Sequence, residues 1–294
     1  MVATDKTNTV GLLATKSGGS RFADYYARHP TVVIGGAILG VIIVLAFIAP
    51  LIANDPLRIK PAMRLRPMDD TYWFGSDFLG RDVYSRTIYG AQISLAVGGA
   101  VAVISTFFGL IIGLLAGYVR WVDAIVMRFM DGLMAIPGVL LAIALISLAG
   151  ASLFNVIVAI CIPEIPRVVR LVRSVTLQIR ELPYVEAAVS VGSPTHKILA
   201  QHILPNTVAP LIVQATYVCA SAVVIEAILS FLGAGTPPEI PSWGNIMAEG
   251  RSYFQVAPWI IFFPGGMLAI TVLAVNMLGD GLRDSLDPRI ARRM

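Results

Sequence analysis

Tyr184-Val-Glu-Ala-Ala-Val-Ser-Val-Gly192 is followed by Ser193-Pro194 and then by His202-Ile-Leu-Pro205. This stretch lies between two long apolar runs, and its pattern predicts two short helices that share one hinge. Pro183 suits the first position of a helix, Gly192 suits the left-handed residue that ends one, and Ser193-Pro194 supplies an N-cap with a first-turn proline. The second helix is expected to end before Pro205.

The first of these helices has the composition of a docking element. Ala187 and Ala188 keep one flank small, so another protein could approach the backbone closely. Glu186 lies near the helix start, where the helix dipole favours a negative charge. The alternative interpretation is an ordinary amphipathic helix in a loop, and the rest of the chain has to decide between the two.

Composition identifies the class of protein. The 294 residues are 56% hydrophobic and 14% charged, and the mean hydropathy is +0.77, which excludes a soluble globular protein. The net charge of +4 could suggest a nucleic-acid partner. However, the basic residues gather beside apolar runs and form no patch interleaved with aromatics, so we expect membrane lipid around the chain and no nucleic acid. Cys161 and Cys219 both fall inside apolar runs and are expected to be free thiols.

Apolar runs of about the length that a bilayer core requires predict an all-α membrane protein with about six transmembrane helices. The third run begins amphipathically at Val122 and has a predicted kink at Pro137. The predicted spans are 31–53, 93–118, 133–148, 152–172, 208–231 and 257–278.

These runs define the domain organisation. Residues 1–30 form a predicted cytoplasmic tail with an interfacial helix over 21–29, and residues 31–294 form one transmembrane domain. The first run is too long for the core of a cleavable signal peptide, so we expect it to stay as an anchor. Most of the 22 lysines and arginines fall on the side of the loop at about 182–205, which places that loop and both termini in the cytoplasm.

Small residues in the second span predict a close helix contact. Gly109, Gly113 and Gly117 recur every four residues and give one helix face a smooth stripe. Another helix could pack against that stripe at short range.

Motifs of enzymes are missing from the sequence. The three histidines lack an HExxH or carboxylate spacing for a metal, and no Gly-x-Ser-x-Gly elbow occurs. The stretch from Gly11 to Ser17 lacks the glycine that precedes the lysine of a phosphate-binding loop. We therefore expect no catalytic site, no bound cofactor or metal, and no ATP hydrolysis by this chain itself.

Acidic residues within the spans are the other candidates for function, because a carboxylate in hydrocarbon needs water or a polar partner. Glu226 is the deepest, a few residues from the outer end of the fifth span. It could line a solute path, or it could be a buried carboxylate hydrogen-bonded to a neighbouring helix. Glu164 and Asp131 are expected at span edges, each paired with an arginine on its own helix, Arg167 and Arg128.

Four stretches of the sequence are similar to motifs of one family of membrane proteins. The stretch 74–90 is similar to the signature GTDxxGRDVxSRxxYG, and 186–205 is similar to the EAA loop. Leu229-Ser-Phe-Leu-Gly233 and the segment 278–288 are similar to the LSFLG and LGDxLRDxLDP motifs. His202 departs from the isoleucine of the general EAA pattern. Together the four stretches resemble the second permease subunit of dipeptide, oligopeptide and nickel ABC importers, and the resemblance covers nearly the whole chain from Thr31.

This resemblance implies a type I ABC importer permease fold in a bacterial inner membrane. The chain would pair with a homologous permease, dock two subunits that bind ATP and Mg, and receive solute from an extracytoplasmic binding protein. The resemblance also implies that Glu186, Ala187, Ala188 and Gly192 couple the passage to ATP hydrolysis. Peptides or a similar small solute would be the cargo.

Two other classes of function serve as alternatives. An ion-coupled secondary transporter would also carry polar groups in its spans, but it predicts internal repeats and discontinuous helices that the sequence does not show. An intramembrane enzyme would need a nucleophile or a metal set, and the sequence offers neither.

Overall fold

The structure is a computed structural model that describes residues 30–286. Within that range the chain is helical apart from its connecting loops and one isolated β-bridge between Ser76 and Asp82. The predicted N-terminal tail with its interfacial helix lies outside the described residues.

Ten α-helices, numbered here in chain order, make up the described part of the chain. A π-helical turn at Leu199–Ile203 joins α7 to α8. The helices are α1 (Pro30–Ile52), α2 (Val83–Tyr118), α3 (Arg120–Ala135), α4 (Gly138–Ala149), α5 (Leu153–Arg180), α6 (Pro183–Ser190), α7 (Thr195–Ile198), α8 (Leu204–Phe231), α9 (Trp243–Gly250) and α10 (Trp259–Leu286).

Of the six predicted spans, four correspond to continuous helical units of the described chain that are long and apolar enough to cross a membrane, and a fifth corresponds to a bent pair. The helices α1, α2 and α10 and the unit Thr195–Phe231 are each long and apolar enough to cross a membrane. The pair α3 and α4 reaches that length only together, and it is bent by 89°. The helix α5, at about 42 Å for its 28 residues, is long enough to cross, although its second half carries four arginines.

The bend at Pro137 is larger than the predicted kink. The sequence pattern suggested one kinked helix from Val122 onward, whereas α3 ends at Ala135 and α4 begins at Gly138. The residue before a proline is pushed towards an extended conformation, and Ile136 has φ −93° and ψ 130°. The helix therefore stops at the proline, which leaves α4 too short to cross the bilayer core alone.

The packing of α2 against α5 is the most extensive helix contact in the described chain. Its basis is the predicted glycine stripe, which is confirmed. A Cβ added at Gly109, Gly113 or Gly117 would lie 2.5–2.6 Å from a side-chain carbon of α5. The facing residues of α5, which repeat at the same spacing, are Val168, Val172 and Thr176.

The helix α8 lies between α2 and α10, and α10 also packs along α1. Gly35 of α1 approaches the backbone of α10 so closely that a Cβ there would lie 2.7 Å from the carbonyl oxygen of Ala274. Glycine contacts of this kind let helices associate in lipid, where apolar surface alone supplies little driving force. The helices α1, α2, α5, α8 and α10 thus form one packed body.

We expect Gly113→Ala to destabilise the protein, because its Cβ would lie 2.6 Å from that of Val172 and force α2 and α5 apart. Overpacking of this kind costs on the order of 1–3 kcal/mol. Gly99→Ala on the same helix is the matched control, since in the described part of the chain no atom outside the adjoining helix backbone lies within 4 Å of its added Cβ. Thermal unfolding of the purified protein in detergent should show a loss for the first variant only; equal midpoints would contradict the close packing.

Candidate functional site

The predicted coupling loop has the helix signals that its sequence indicates. The helix α6 begins at Pro183, with Glu186 in its first turn. Gly192 has φ +83°, and its N–H donates to the carbonyl oxygen of Val189 at 2.9 Å. The N–H of Ser193 donates to the carbonyl of Ala188 at 3.0 Å, which completes a Schellman-type end.

Three buried apolar side chains attach this loop to the helical body. Val185 of α6, Ile198 of α7 and Ile203 of the π-turn belong to one cluster with Ile179 at the end of α5. Leu114 and Tyr118 of α2 pack against the same cluster. The loop is therefore held at the point where α2 and α5 end together.

The opposite side of the loop is exposed. Glu186, Ala187 and Gly192 are exposed, and Ala188 is half-buried. Val191, between them and the hinge, is 86% exposed. Three of the four residues predicted to couple to a partner precede this exposed valine in the sequence, and Gly192 follows it. Their coupling role stays a prediction.

Two details of the loop differ from the sequence-based prediction. Pro194, rather than Ser193, is the N-cap residue of α7, and no side chain caps this helix. The second helix also continues past Pro205, where an end was expected, because the π-turn leads directly into α8.

The π-turn explains how the helix passes Pro205. A proline has no N–H for the carbonyl four residues earlier, and its ring collides with that carbonyl in a regular α-helix. The wider π-turn at Leu199–Ile203 moves the preceding carbonyls away from the proline ring, so the helix can continue. Asn206 Nδ2 donates to the carbonyl of His202 at 2.7 Å, and Thr207 Oγ1 donates to that of Ile203 at 2.9 Å. The loop is consequently one rigid unit with α8.

A second polar site lies at the start of α2, in the stretch 74–90. Asp77 accepts hydrogen bonds from Arg81 and from Arg86, the latter at 2.9 Å. Both arginines also pair with Glu249 of α9, Arg81 at 2.6 Å. Asp77 and Arg86 are completely buried. The two acids and two bases form a neutral cluster, as buried charges require.

Neighbouring contacts tie this cluster to three helices. Asp82 caps α2 by accepting from the N–H groups of Tyr84 and Ser85. Trp243 of α9 donates its ring N–H to the carbonyl of Thr87 at 2.9 Å, and Trp259 of α10 donates to that of Ser76 at 3.1 Å. The stretch 74–90 is therefore the connection between α2, α9 and α10.

Sequence reasoning missed the role of this cluster. The signal was available in part, because Asp77, Arg81 and Arg86 stand close together in a chain with few charges. The fourth member, Glu249, is 163 residues from Arg86, and nothing local connects them.

Glu226 is completely buried between α2 and α8. Ser230 donates a hydrogen bond to its carboxylate at 2.8 Å, and Ser94 of α2 donates another at 3.3 Å. This environment corresponds to the alternative of a buried, hydrogen-bonded carboxylate. A role in the solute path stays a prediction.

The two acids expected at span edges have different surroundings. Glu164 pairs with Arg167 at 2.8 Å as predicted, but it is only 1% exposed and also accepts from Ser221 of α8. Asp131 pairs with Arg170 of α5 at 2.6 Å, and the predicted pairing with Arg128 on its own helix was wrong. The bend at Pro137 lays α3 beside α5, and this tertiary proximity provides the partner.

Comparisons with known proteins agree with this geometry. The family described as "Binding-protein-dependent transport system inner membrane component" matches residues 105–292. The description "N-terminal TM domain of oligopeptide transport permease C" matches residues 20–67.

Similar proteins are found along most of the chain. A probable peptide ABC transporter permease of Sinorhizobium fredii is 57% identical over 90% of this chain and 91% of its own. A dipeptide transport system permease of Alkalihalophilus pseudofirmus is 42% identical over 86% of each chain. A glutathione transport system permease of Pectobacterium atrosepticum is 41% identical over 90% of this chain and 89% of its own.

A solved structure shares the fold. A chain of the MetNI methionine ABC transporter in an inward-facing conformation matches with a TM-score of 0.52 and 22% identity, covering 69% of this chain and 96% of that one. Together with the family matches, this supports the predicted all-α fold of a type I importer permease.

We expect Arg86→Met to destabilise the protein strongly, because one arginine would remain for the two carboxylates of Asp77 and Glu249. Removing one partner of a buried ion pair costs on the order of 3–5 kcal/mol. Arg66→Met is the matched control, since Arg66 pairs with Asp69 at a partly exposed site where such pairs contribute about 0–1 kcal/mol. Unfolding in detergent measures both, and a similar small loss in the two variants would show that the cluster is dispensable.

Proposed function

The chain belongs to the family of binding-protein-dependent transport system inner membrane components, and from that membership we propose that it forms half of the passage of a peptide importer. A homologous permease supplies the other half. The observation that carries this proposal is the loop 182–205, which is anchored on α2 and α5, exposed on its other side, and continuous with α8. Such a loop can transmit a movement from a docked subunit to a transmembrane helix.

The proposed solute class is based on the substrates for which the similar proteins are named. The similar proteins are named for the transport of peptides, of dipeptides and of glutathione, which is itself a short peptide. Identity of 41–57% over nearly the whole chain supports a solute of the same chemical class here. A short peptide is therefore the proposed cargo.

Energy for transport comes, in this proposal, from two separate subunits that bind ATP and Mg. The chain itself acts as a transport subunit without an ATPase site. Glu186 and the small residues Ala187 and Ala188 offer a surface that a partner can approach closely, and Gly192 sets the angle between α6 and α7. Because the π-turn connects α7 directly to α8, displacement of the docked loop would tilt α8.

The chain is a multi-pass component of the inner membrane. We further propose that the loop and both termini lie on the cytoplasmic side. The opposite end of the helices, with the stretch 54–82 and the α8–α9 connection, would then face the extracytoplasmic binding protein. Family membership favours this importer over an ion-coupled carrier.

The orientation can be tested with single cysteines in a background that lacks Cys161 and Cys219. We expect Glu239→Cys to react with a membrane-impermeant thiol reagent added from outside, because Glu239 is exposed in the α8–α9 connection. Thr195→Cys, exposed at the start of α7, should react only after the cells are opened. Reaction of Thr195→Cys in intact cells would contradict the importer orientation.

Coupling can be tested at the hinge of the loop. Gly192→Val should lower peptide-stimulated ATP hydrolysis of the assembled importer, because a β-branched residue at φ +83° is strained by about 1 kcal/mol or more. Gly192→Asn is the matched control, since asparagine tolerates the left-handed conformation. Within residues 30–286 no atom beyond the adjacent residues lies within 4 Å of a Cβ at this position, so a difference between the variants reports backbone strain rather than crowding.

The docking surface is tested separately by Glu186→Lys, which reverses a charge in the first turn of α6. The variant should insert and pair with the second permease, while the ATP-binding subunits associate more weakly. Co-purification and ATPase assays with loaded binding protein measure both effects. Normal stimulation in Glu186→Lys and in Gly192→Val would mean that the loop is only a connector.

A further inference from the structure

A groove runs along the exposed side of α8 where α10 meets it. It has a volume of about 300 Å³ and is lined by Tyr217, Ala220, Ser221, Val224 and Ile225 of α8 and by Val272 and Asn276 of α10. Three of these seven side chains, those of Tyr217, Ser221 and Asn276, are polar, although both helices are apolar enough to span a membrane.

Charged groups adjoin the groove on both sides. Ser221, in its wall, donates to Glu164 of α5 at 3.1 Å, and the same carboxylate oxygen accepts from Arg167 Nη1 at 2.8 Å. The side chain of Arg167 is 51% exposed. At the other end of the groove, the Tyr217 hydroxyl donates to the carboxylate of Asp280, which is exposed.

These groups lie deep in the helices. At 1.5 Å per residue, Arg167 is about 21 Å along α5 from Leu153, and Ser221 is about 25 Å along α8 from Leu204. An exposed guanidinium at such a depth is unfavourable against lipid tails, so this face contacts water or another protein.

The polar residues that follow Arg167 along α5 indicate that water, rather than another protein, covers this face. Ser174 and Gln178 follow Arg167 on nearly the same side of α5, and both are exposed. The polar stripe therefore continues from the middle of α5 to the end that holds the coupling loop. A continuous stripe of this kind suits a hydrated channel wall better than a packed helix interface, where apolar and small residues predominate.

We propose that the groove is this chain's wall of the solute passage and that Arg167 contacts the carboxylate of the passing solute. The inference rests on the proposed function and locates the contact. In residues 30–286 the hydrogen bond of Arg167 to Glu164 engages Nη1, so Nε and Nη2 remain for a ligand. A guanidinium binds a carboxylate strongly through two parallel hydrogen bonds. The ligand class is a hydrophilic solute with a free carboxylate, such as a peptide.

The position of the groove is tested by cysteine accessibility in the assembled importer, with Cys161 and Cys219 replaced by serine. A charged, membrane-impermeant thiol reagent should modify Asn276→Cys and Val224→Cys at least about tenfold faster than Ile270→Cys, because a cysteine in apolar surroundings does not ionise. Ile270 is the matched control: it is exposed on the same helix, about 120° around from Asn276. Equal rates at Asn276→Cys and Ile270→Cys would overturn the proposal, whether lipid or the second permease covers the face.

The role of Arg167 is tested by a pair of variants. Arg167→Met should lower peptide transport by about tenfold, the loss expected for one charge-assisted contact. That variant also leaves Glu164 without its partner, so Glu164→Gln with Arg167→Met removes both charges together. If Arg167 contacts the solute, the double variant stays impaired. Recovery of transport in the double variant would show that Arg167 only neutralises Glu164.

Peptide transport measured before Asn276→Cys or Arg167→Met is introduced distinguishes the proposed function from the proposed role of the groove. Absence of peptide transport by the importer with its native cysteines would overturn the proposed function itself. Normal transport by the importer without cysteines, combined with an unreactive Asn276→Cys or a recovered double variant, would leave the function intact and reject only the groove.

Discussion

The close contact between α2 and α5 is the constraint on which the rest of the structure depends. Gly109, Gly113 and Gly117 let the two backbones approach until the side chains of α5 fill the space where Cβ atoms would stand. In lipid such van der Waals packing replaces the hydrophobic driving force. Because α2 and α5 end side by side, their ends create the apolar cluster that holds the coupling loop. The same contact, made through Val168, Val172 and Thr176, leaves Arg167 and Arg170 on the side of α5 that faces away from α2.

The two ends of the helical body are stabilised by different interactions, ion pairs at one end and apolar contacts at the other. At the start of α2, four charged side chains lie together, with Asp77 and Arg86 inaccessible to water, and the arrangement is tolerable because acids and bases balance. At the coupling loop, apolar anchors hold one side and leave the other exposed. The helical body is thus closed by ion pairs at one end and has an exposed loop surface at the other.

Local chemistry made several features predictable. The start of α6 at Pro183 and the left-handed Gly192 follow from the restricted backbone of proline and the free backbone of glycine. The glycine stripe followed from its spacing. The same local rules failed at Pro205, because the prediction treated proline as a stop, whereas a π-turn directly before it leads into α8 and the helix continues. The partner of Asp131 was also wrong, because the bend at Pro137 brings α5 nearer than the arginine of its own helix.

The sequence by itself determined the apolar spans, the helix signals of the loop and the family, since these depend on composition, short-range backbone preferences and motif order. The tertiary structure alone decided which charges meet. Glu249 completes a cluster with residues more than 160 positions earlier, Glu226 is enclosed by serines of two helices, and Ser221 links Glu164 to an exposed groove. Charge pairing acts over a few ångströms, and only helix packing brings such distant residues within that range.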